Sequence, residues 1–200
     1  MASFSEALAY VGINEGGFQI NPNDPGNWYN GELLGTRYGI SAPVARENGY
    51  MGEMQYLPKS FADSIYQAKY WPGLESIRSQ AIASKIMDMR VQFGKSGGSK
   101  LAQGAANRLG AGLSVDGVIG PASIAAFNGL DQSSLMLALC DAMENEYRAD
   151  VAEHPAKGDF LDGWLRRAAS VPSGLYVAAA GVSLLGLLVV CVAGYMLVTS

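Results

Sequence analysis

NEGGFQINPNDPGNWYNGELLGTRYGIS, residues 14–41, is the stretch that decides how the rest of the chain is read. Asparagine, aspartate, proline and glycine crowd it, and from residue 18 to residue 43 it reads as an irregular loop or a small β-hairpin region. A helix leads into it. Ser3 and Glu6 have capping-box spacing, and Phe4, Ala7, Leu8 and Val11 fall on one face. Asn14-Glu15-Gly16-Gly17 is its expected exit, with glycine supplying the left-handed turn. Everything in the soluble part beyond the loop reads as helix.

Those helices are marked by stripes and stops. Pro58 opens one that carries Phe61, Ile65 and Ala68 inward and is halted by Trp71-Pro72. Ile82, Ile86, Met89 and Phe93 repeat at helical spacing up to Gly94, and Leu101, Ala105 and Leu109 mark the next helix. Asp116-Gly117 is a turn, and Pro121 suits the first position of a short helix. Leu135, Leu139 and Met143 stripe a longer helix, and Phe160, Trp164 and Ala168 a last one. The expected organisation is a first region over 1–95, a helical lobe over 96–169, a linker over 170–174 and an apolar segment over 175–198.

That last segment, LYVAAAGVSLLGLLVVCVAGYMLV, holds no charged residue. As a helix it would measure roughly 36 Å, enough for a hydrocarbon core of about 30 Å, so a transmembrane helix is expected. Tyr176 and Tyr195 would sit at the two interfaces, and Arg166 and Arg167 before the run favour an N-in orientation. Ala179 and Ser183 form a small-xxx-small pair suited to a helix-mediated oligomer. The N-terminus has no basic region, apolar stretch and cleavage site of a secretion signal.

Composition removes several classes of function. A net charge of −4 argues against nucleic acid as a partner. One histidine and two cysteines leave no zinc-ligand spacing, so neither a metal nor a cofactor is expected. Cys140 and Cys191 read as free thiols. Lys85, Arg90, Lys95, Lys100 and Arg108, opposed only by Asp88, form either a solvated helical face or a surface that attracts an anionic wall polymer.

Glu15 carries the chemistry of this reading. At a helix C-terminus a carboxylate meets the negative end of the dipole, which favours its protonated form and suits a general acid. Asp24 follows nine residues later, in Asn-Asp-Pro-Gly, which is equally an ordinary turn sequence. Thr36 comes next, in Gly35-Thr36-Arg37-Tyr38-Gly39-Ile40. Tyr38, Tyr70 and Trp71 serve either as stacking surfaces for sugar rings or as core, and Asp88 as a buried structural group or a cleft residue.

The order Glu15, Asp24, Thr36 resembles the catalytic triad of phage T4-type lysozymes, with 27–34 as an inserted loop. The chain more closely resembles the muramidases of glycoside hydrolase family 108. Their signature of Glu-Gly-Gly-Tyr, Asn-Asp-Pro-Gly and Thr-x-x-Gly-Ile is matched by Glu15-Gly16-Gly17-Phe18, Asn23-Asp24-Pro25-Gly26 and Thr36-Arg37-Tyr38-Gly39-Ile40. Tyr70-Trp71 and Asp88 also fall at family positions. Val115-Asp116-Gly117-Val118-Ile119-Gly120-Pro121 and Gly163-Trp164-Leu165-Arg166-Arg167 resemble the peptidoglycan-binding-type segment that follows. Phe18 replaces the usual tyrosine, and Val91-Gln92-Phe93-Gly94 departs from the usual asparagine and small residue.

The resemblance implies a mainly α, lysozyme-like, two-lobed α+β domain, here followed by the transmembrane helix. It implies cleavage of the β-1,4 bond between N-acetylmuramic acid and N-acetylglucosamine, with Glu15 as acid and Asp24 and Thr36 holding water or stabilising an oxocarbenium ion. Two alternatives stand beside it: a lytic transglycosylase using the same Glu15, and a non-catalytic membrane-anchored wall-binding protein. The expected partners are peptidoglycan strands, a lipid bilayer at the C-terminal helix, and phage structural proteins. An N-in anchor leaves the enzyme across the membrane from its substrate, which points to a phage virion or to the host inner membrane, for entry or lysis.

Overall fold

In the computed structural model of this protein, residues 1–12 and 17–173 are described. The first helix, α1 (Phe4–Val11), buries Ala7, Leu8 and Val11 as the stripe requires. Its exit comes early: Gly12 takes φ 71° and donates its N–H to the Ala9 carbonyl, so the left-handed exit of α1 is at Gly12. The capping box does not form. Ser3 Oγ pairs with Ser5 Oγ at 2.9 Å, and the Ser3 N–H is taken by Gln80 Oε1 at 2.6 Å.

The loop region contains two hairpins of the smallest kind. β1 (Trp28–Tyr29) pairs antiparallel with β2 (Glu32–Leu33), and β3 (Thr36–Arg37) with β4 (Ile40–Ser41). Both two-residue turns have positive φ throughout, 49° and 82° at Asn30-Gly31 and 50° and 71° at Tyr38-Gly39. This is the type I′ geometry whose twist matches that of paired strands, and Asn-Gly is its strongest sequence signal. Gln19 adds an antiparallel bridge to Thr36, exchanging N–H···O bonds of 2.9 and 2.8 Å.

Helices build the remainder: α2 (Ala42–Glu47), α3 (Lys59–Tyr70), α4 (Gln80–Arg108), α5 (Pro121–Gly129), α6 (Gln132–Glu153) and α7 (Leu161–Ala169). Ile82, Ile86 and Met89 of α4 pack with Leu135, Leu139 and Met143 of α6 in one buried apolar cluster that also takes in α1. Ala68 and Phe160, expected inside, are exposed. Phe160 lies before α7 and stacks on Trp164, which stacks in turn on Tyr147.

Gly94 breaks α4 with φ 76° and ψ 158°. The second arm folds back across the first, and a Cβ at Gly98 would collide with the backbone of Met89 and Arg90. In a straight helix residues nine apart stand roughly 13 Å apart along the axis, so only a sharp reversal and a bare glycine allow this approach. Arg90 locks the reversal from inside. Its Nε donates to Ser99 Oγ and its Nη1 to the Tyr70 and Pro72 carbonyls, each at 2.9 Å. Burial pulls its pKa down to about 10.

Two readings are corrected here. Lys85 and Arg90 are interior groups, not members of an exposed basic face. Lys85 Nζ donates to the Arg167, Ala168 and Ser170 carbonyls at 3.2, 2.8 and 2.9 Å, at and just beyond the C-terminus of α7. The expectation of an α+β domain followed by a membrane span also fails. The described chain is mainly helical, its strands are two residues each, and they form two separate two-stranded pairs. Among the described residues no helix is long and apolar enough to cross a membrane. Even the longest, α4 and α6, carry charged and polar residues throughout. The segment 175–198, and with it Cys191, lies outside the described residues.

Candidate active site

Asp24 and Thr36 are brought together by a residue that sequence reasoning passed over. Asp24 is the N-cap of a 3₁₀ turn (Pro25–Asn27), where Pro25 presets the first helical φ. One carboxylate oxygen, Oδ1, accepts from the Gly26 N–H at 2.8 Å, and Oδ2 accepts from Asn27 Nδ2 at 2.6 Å. Asn27 Nδ2 also lies 3.4 Å from Thr36 Oγ1. Asp24 therefore caps a turn and belongs to a cluster with Thr36. The signal for Asn27 was its place three residues after Asp24, at the end of the turn that Asp24 caps.

Thr36 is held at 8 % exposure by its strand position and the Gln19 bridge. Gly35 makes that bridge possible: at φ 90°, a Cβ there would sit 2.6 Å from the Gln19 carbonyl and 2.7 Å from the Phe18 ring. A groove of about 380 Å³ opens beside this segment, lined by Phe18, Ile20, Leu33, Leu34, Met51 and Glu53 among others. Phe18, Ile20 and Met51 are exposed, so the groove offers solvent an apolar wall, with Arg46 and Glu53 as its charged lining residues. Its volume is that of a small-molecule site.

The three aromatic candidates divide. Tyr38, at the turn of the second hairpin, is half-buried; Arg37 lies over its ring at 5.0 Å, and its carbonyl accepts from Tyr66 Oη at 3.2 Å. Tyr70 is half-buried and packs with Tyr66, the ring centroids 5.7 Å apart, with Lys69 over its ring. Trp71 is 7 % exposed and meets Phe4 edge-on at 5.9 Å, which makes it part of the core. Glu15 lies outside the described residues.

The chain leading toward Glu15 is nonetheless anchored on the near side. Asp88, 1 % exposed, accepts on Oδ1 from Arg167 Nε at 2.9 Å and from Arg167 Nη2, and that same Nη2 donates to the Val11 carbonyl at 2.9 Å. Asp88 is thus a buried ion-pair partner, and Arg167, read from sequence as a charge bordering the membrane, reaches inward to the end of α1. Burial pushes the Asp88 carboxyl up, and the hydrogen bond and charge of Arg167 pull it back. Burial likewise pulls Lys85 down. Tyr10 Oη donates to the Ser170 carbonyl at 2.9 Å, so the chain after α7 is tied to α1 as well. Among the described residues no cluster of histidine, cysteine and carboxylate groups is placed to hold a metal.

Residues 8–94 match the family model of glycosyl hydrolase 108. Over that segment the chain is similar to the glycosyl hydrolase 108 family. Residues 97–169 match a second model, described as a predicted peptidoglycan domain. The chain is therefore a glycoside hydrolase that acts on peptidoglycan. A solved structure, that of Brucella abortus SagA, is 26% identical and superimposes with a TM-score of 0.62. The match covers 83% of this chain and 89% of that one. No curated protein matches the chain. The boundary between the two matched segments falls at the α4 fold-back, where Gly98 of the second lies against Met89 and Arg90 of the first.

Proposed function

We propose that this chain is a muramidase: it adds water across the β-1,4 bond between N-acetylmuramic acid and N-acetylglucosamine. The observation that carries the reading is the Asp24–Asn27–Thr36 cluster inside the segment matched by the family model. It pairs a carboxylate with a hydroxyl, the two groups needed to hold an attacking water. Glu15, inside the matched family segment and in the Glu-Gly-Gly motif, is assigned the general-acid role. Its proton goes to the leaving glycosidic oxygen as the bond to the anomeric carbon breaks. The water gives its proton to Asp24 as the new C–O bond forms, so the charge on the two carboxyls is exchanged and the products are neutral.

A water-holding pair favours hydrolysis over transglycosylation, which needs the acid alone. Digestion of purified peptidoglycan with the wild type and with Glu15→Gln, followed by mass analysis of the fragments, tests both points. Loss of a general acid lowers the rate by roughly 10²–10⁴-fold, and wild-type fragments should carry the added water. Undiminished lysis by Glu15→Gln would remove Glu15 from the mechanism. Fragments ending in 1,6-anhydro sugars would identify a transglycosylase.

A further inference from the structure

Asn27 has no exposed surface, and a buried amide must place two N–H donors and an acceptor oxygen. Nδ2 faces Asp24 Oδ2 and Thr36 Oγ1, while Oδ1 accepts from the Asn21 N–H at 3.1 Å. Chemistry settles the orientation of the amide. Turned over, its oxygen would face a carboxylate and its NH₂ group a backbone N–H. The main chain is equally committed: the Asn27 N–H donates to the Asp24 carbonyl at 3.0 Å, and its carbonyl accepts from the Leu34 and Gly35 N–H groups at 2.8 and 3.0 Å. The residue thus ties the Asp24 turn to the entry of β3 through side chain and backbone together.

The polarity of these contacts has a consequence. Nδ2 can only donate, so Thr36 Oγ1 is the acceptor in that contact and retains its own hydrogen to donate to another group. An ionised Asp24 can only accept. We infer that Asn27 is a positioning residue for the proposed hydrolysis, presetting Asp24 as acceptor and Thr36 as donor toward one water. A water held in this way gives a proton to Asp24, receives a hydrogen bond from Thr36, and keeps a lone pair for the anomeric carbon. The inference rests on the reading of Asp24 and Thr36 as the water-holding pair. Asn27 itself touches neither water nor sugar and acts through the two groups it holds.

The experiment measures kcat and KM of the full chain on solubilised glycan strands for the wild type, Asn27→Asp, Thr36→Val, Thr36→Ser and Glu15→Gln. Asn27→Asp keeps the shape but sets a second carboxylate against Asp24, and Thr36→Val removes the hydroxyl. Each is expected to lower kcat about tenfold or more with KM within about twofold, because an oriented water is worth most in the transition state. Thr36→Ser should restore most of kcat. If Asn27→Asp fails to fold by circular dichroism, Thr36→Val decides. A wild-type kcat in a folded Asn27→Asp or in Thr36→Val overturns the inference, as does a rise in KM with kcat unchanged, while Glu15→Gln remains inactive. A wild type no more active than Glu15→Gln overturns the hydrolase reading and the inference with it.

Discussion

Arg167→Met removes the arginine that joins the end of α1, the middle of α4 and α7. In the wild type two of its nitrogens reach Asp88 Oδ1 and one of these also meets the Val11 carbonyl. Asp88 Oδ2 is buried with no hydrogen-bond partner among the described residues, so the variant strands a buried carboxylate without its counter-charge. Breaking a buried ion pair from one side costs about 3–5 kcal/mol. The Arg167 side chain is 34% exposed, so water screens part of the pair and the low end, about 3 kcal/mol, applies. For a chain of this size that lowers the melting temperature by roughly 6–12 °C. The loss depends on pH with a definite sign. Burial raises the Asp88 pKa above its ordinary value of 3.8, and without Arg167 it rises further. An acid whose folded pKa is raised contributes stability fully below its unfolded value, and that contribution is lost as pH climbs through the folded one. The deficit of Arg167→Met relative to wild type is therefore larger at about pH 7 than at about pH 5. Calorimetric melting at both pH values measures it. A fall of less than about 2 °C, or an equal fall at the two pH values, would refute the reasoning.

Three further outcomes are expected. Gly98→Ala forces a methyl into the backbone of Met89 and Arg90 and should cost about 3 kcal/mol or more, read as a lower urea midpoint, whereas Gly104→Ala, where a Cβ meets nothing, should be neutral or stabilising. Gly35→Ala, strained at φ 90° and pressed on the Gln19 carbonyl, should cost about 2 kcal/mol or more and open the Gln19–Thr36 bridge. Hydrogen exchange at the Thr36 amide would report that opening, and unchanged protection would count against the bridge. Lys85→Met leaves the Ala168 carbonyl without its donor, while the Arg167 and Ser170 carbonyls keep the Ser170 N–H and Tyr10 Oη, and should cost about 1–3 kcal/mol by chemical denaturation; wild-type stability would mean that the Ala168 oxygen is otherwise served.

Helices were legible in the sequence wherever one apolar stripe faces one core. The stripes over 82–89 and 135–143 lie inside as read, Pro58 and Pro121 sit at helix starts, and Gly94 breaks its helix. The errors are of another kind. Periodicity cannot distinguish a charged residue that faces water from one that folds inward to cover carbonyls, so Lys85, Arg90 and Arg167 were all given to the surface. Gly12 was overlooked as a helix exit because the Gly16-Gly17 pair stood out more. At the candidate site Asp24 and Thr36 were visible as residue types in order. Asn27 was not, because an asparagine in a turn looks the same whether its amide faces solvent or bridges two functional groups. Fold class was misjudged for a related reason: two-residue hairpins satisfy their own turns without building a sheet.

The fold-back at Gly94 also limits how such a protein can be recombined. Each of the two matched segments has its own sequence signature, which invites shuffling at the seam between them. Yet the seam is a crossing of two helical arms, and a transplanted C-terminal half would need to bring a glycine to lie against the host's Met89 and Arg90 and an arginine to neutralise the host's Asp88. Grafts that mismatch either contact should misassemble however sound each half is, so the two are expected to be inherited as one cassette.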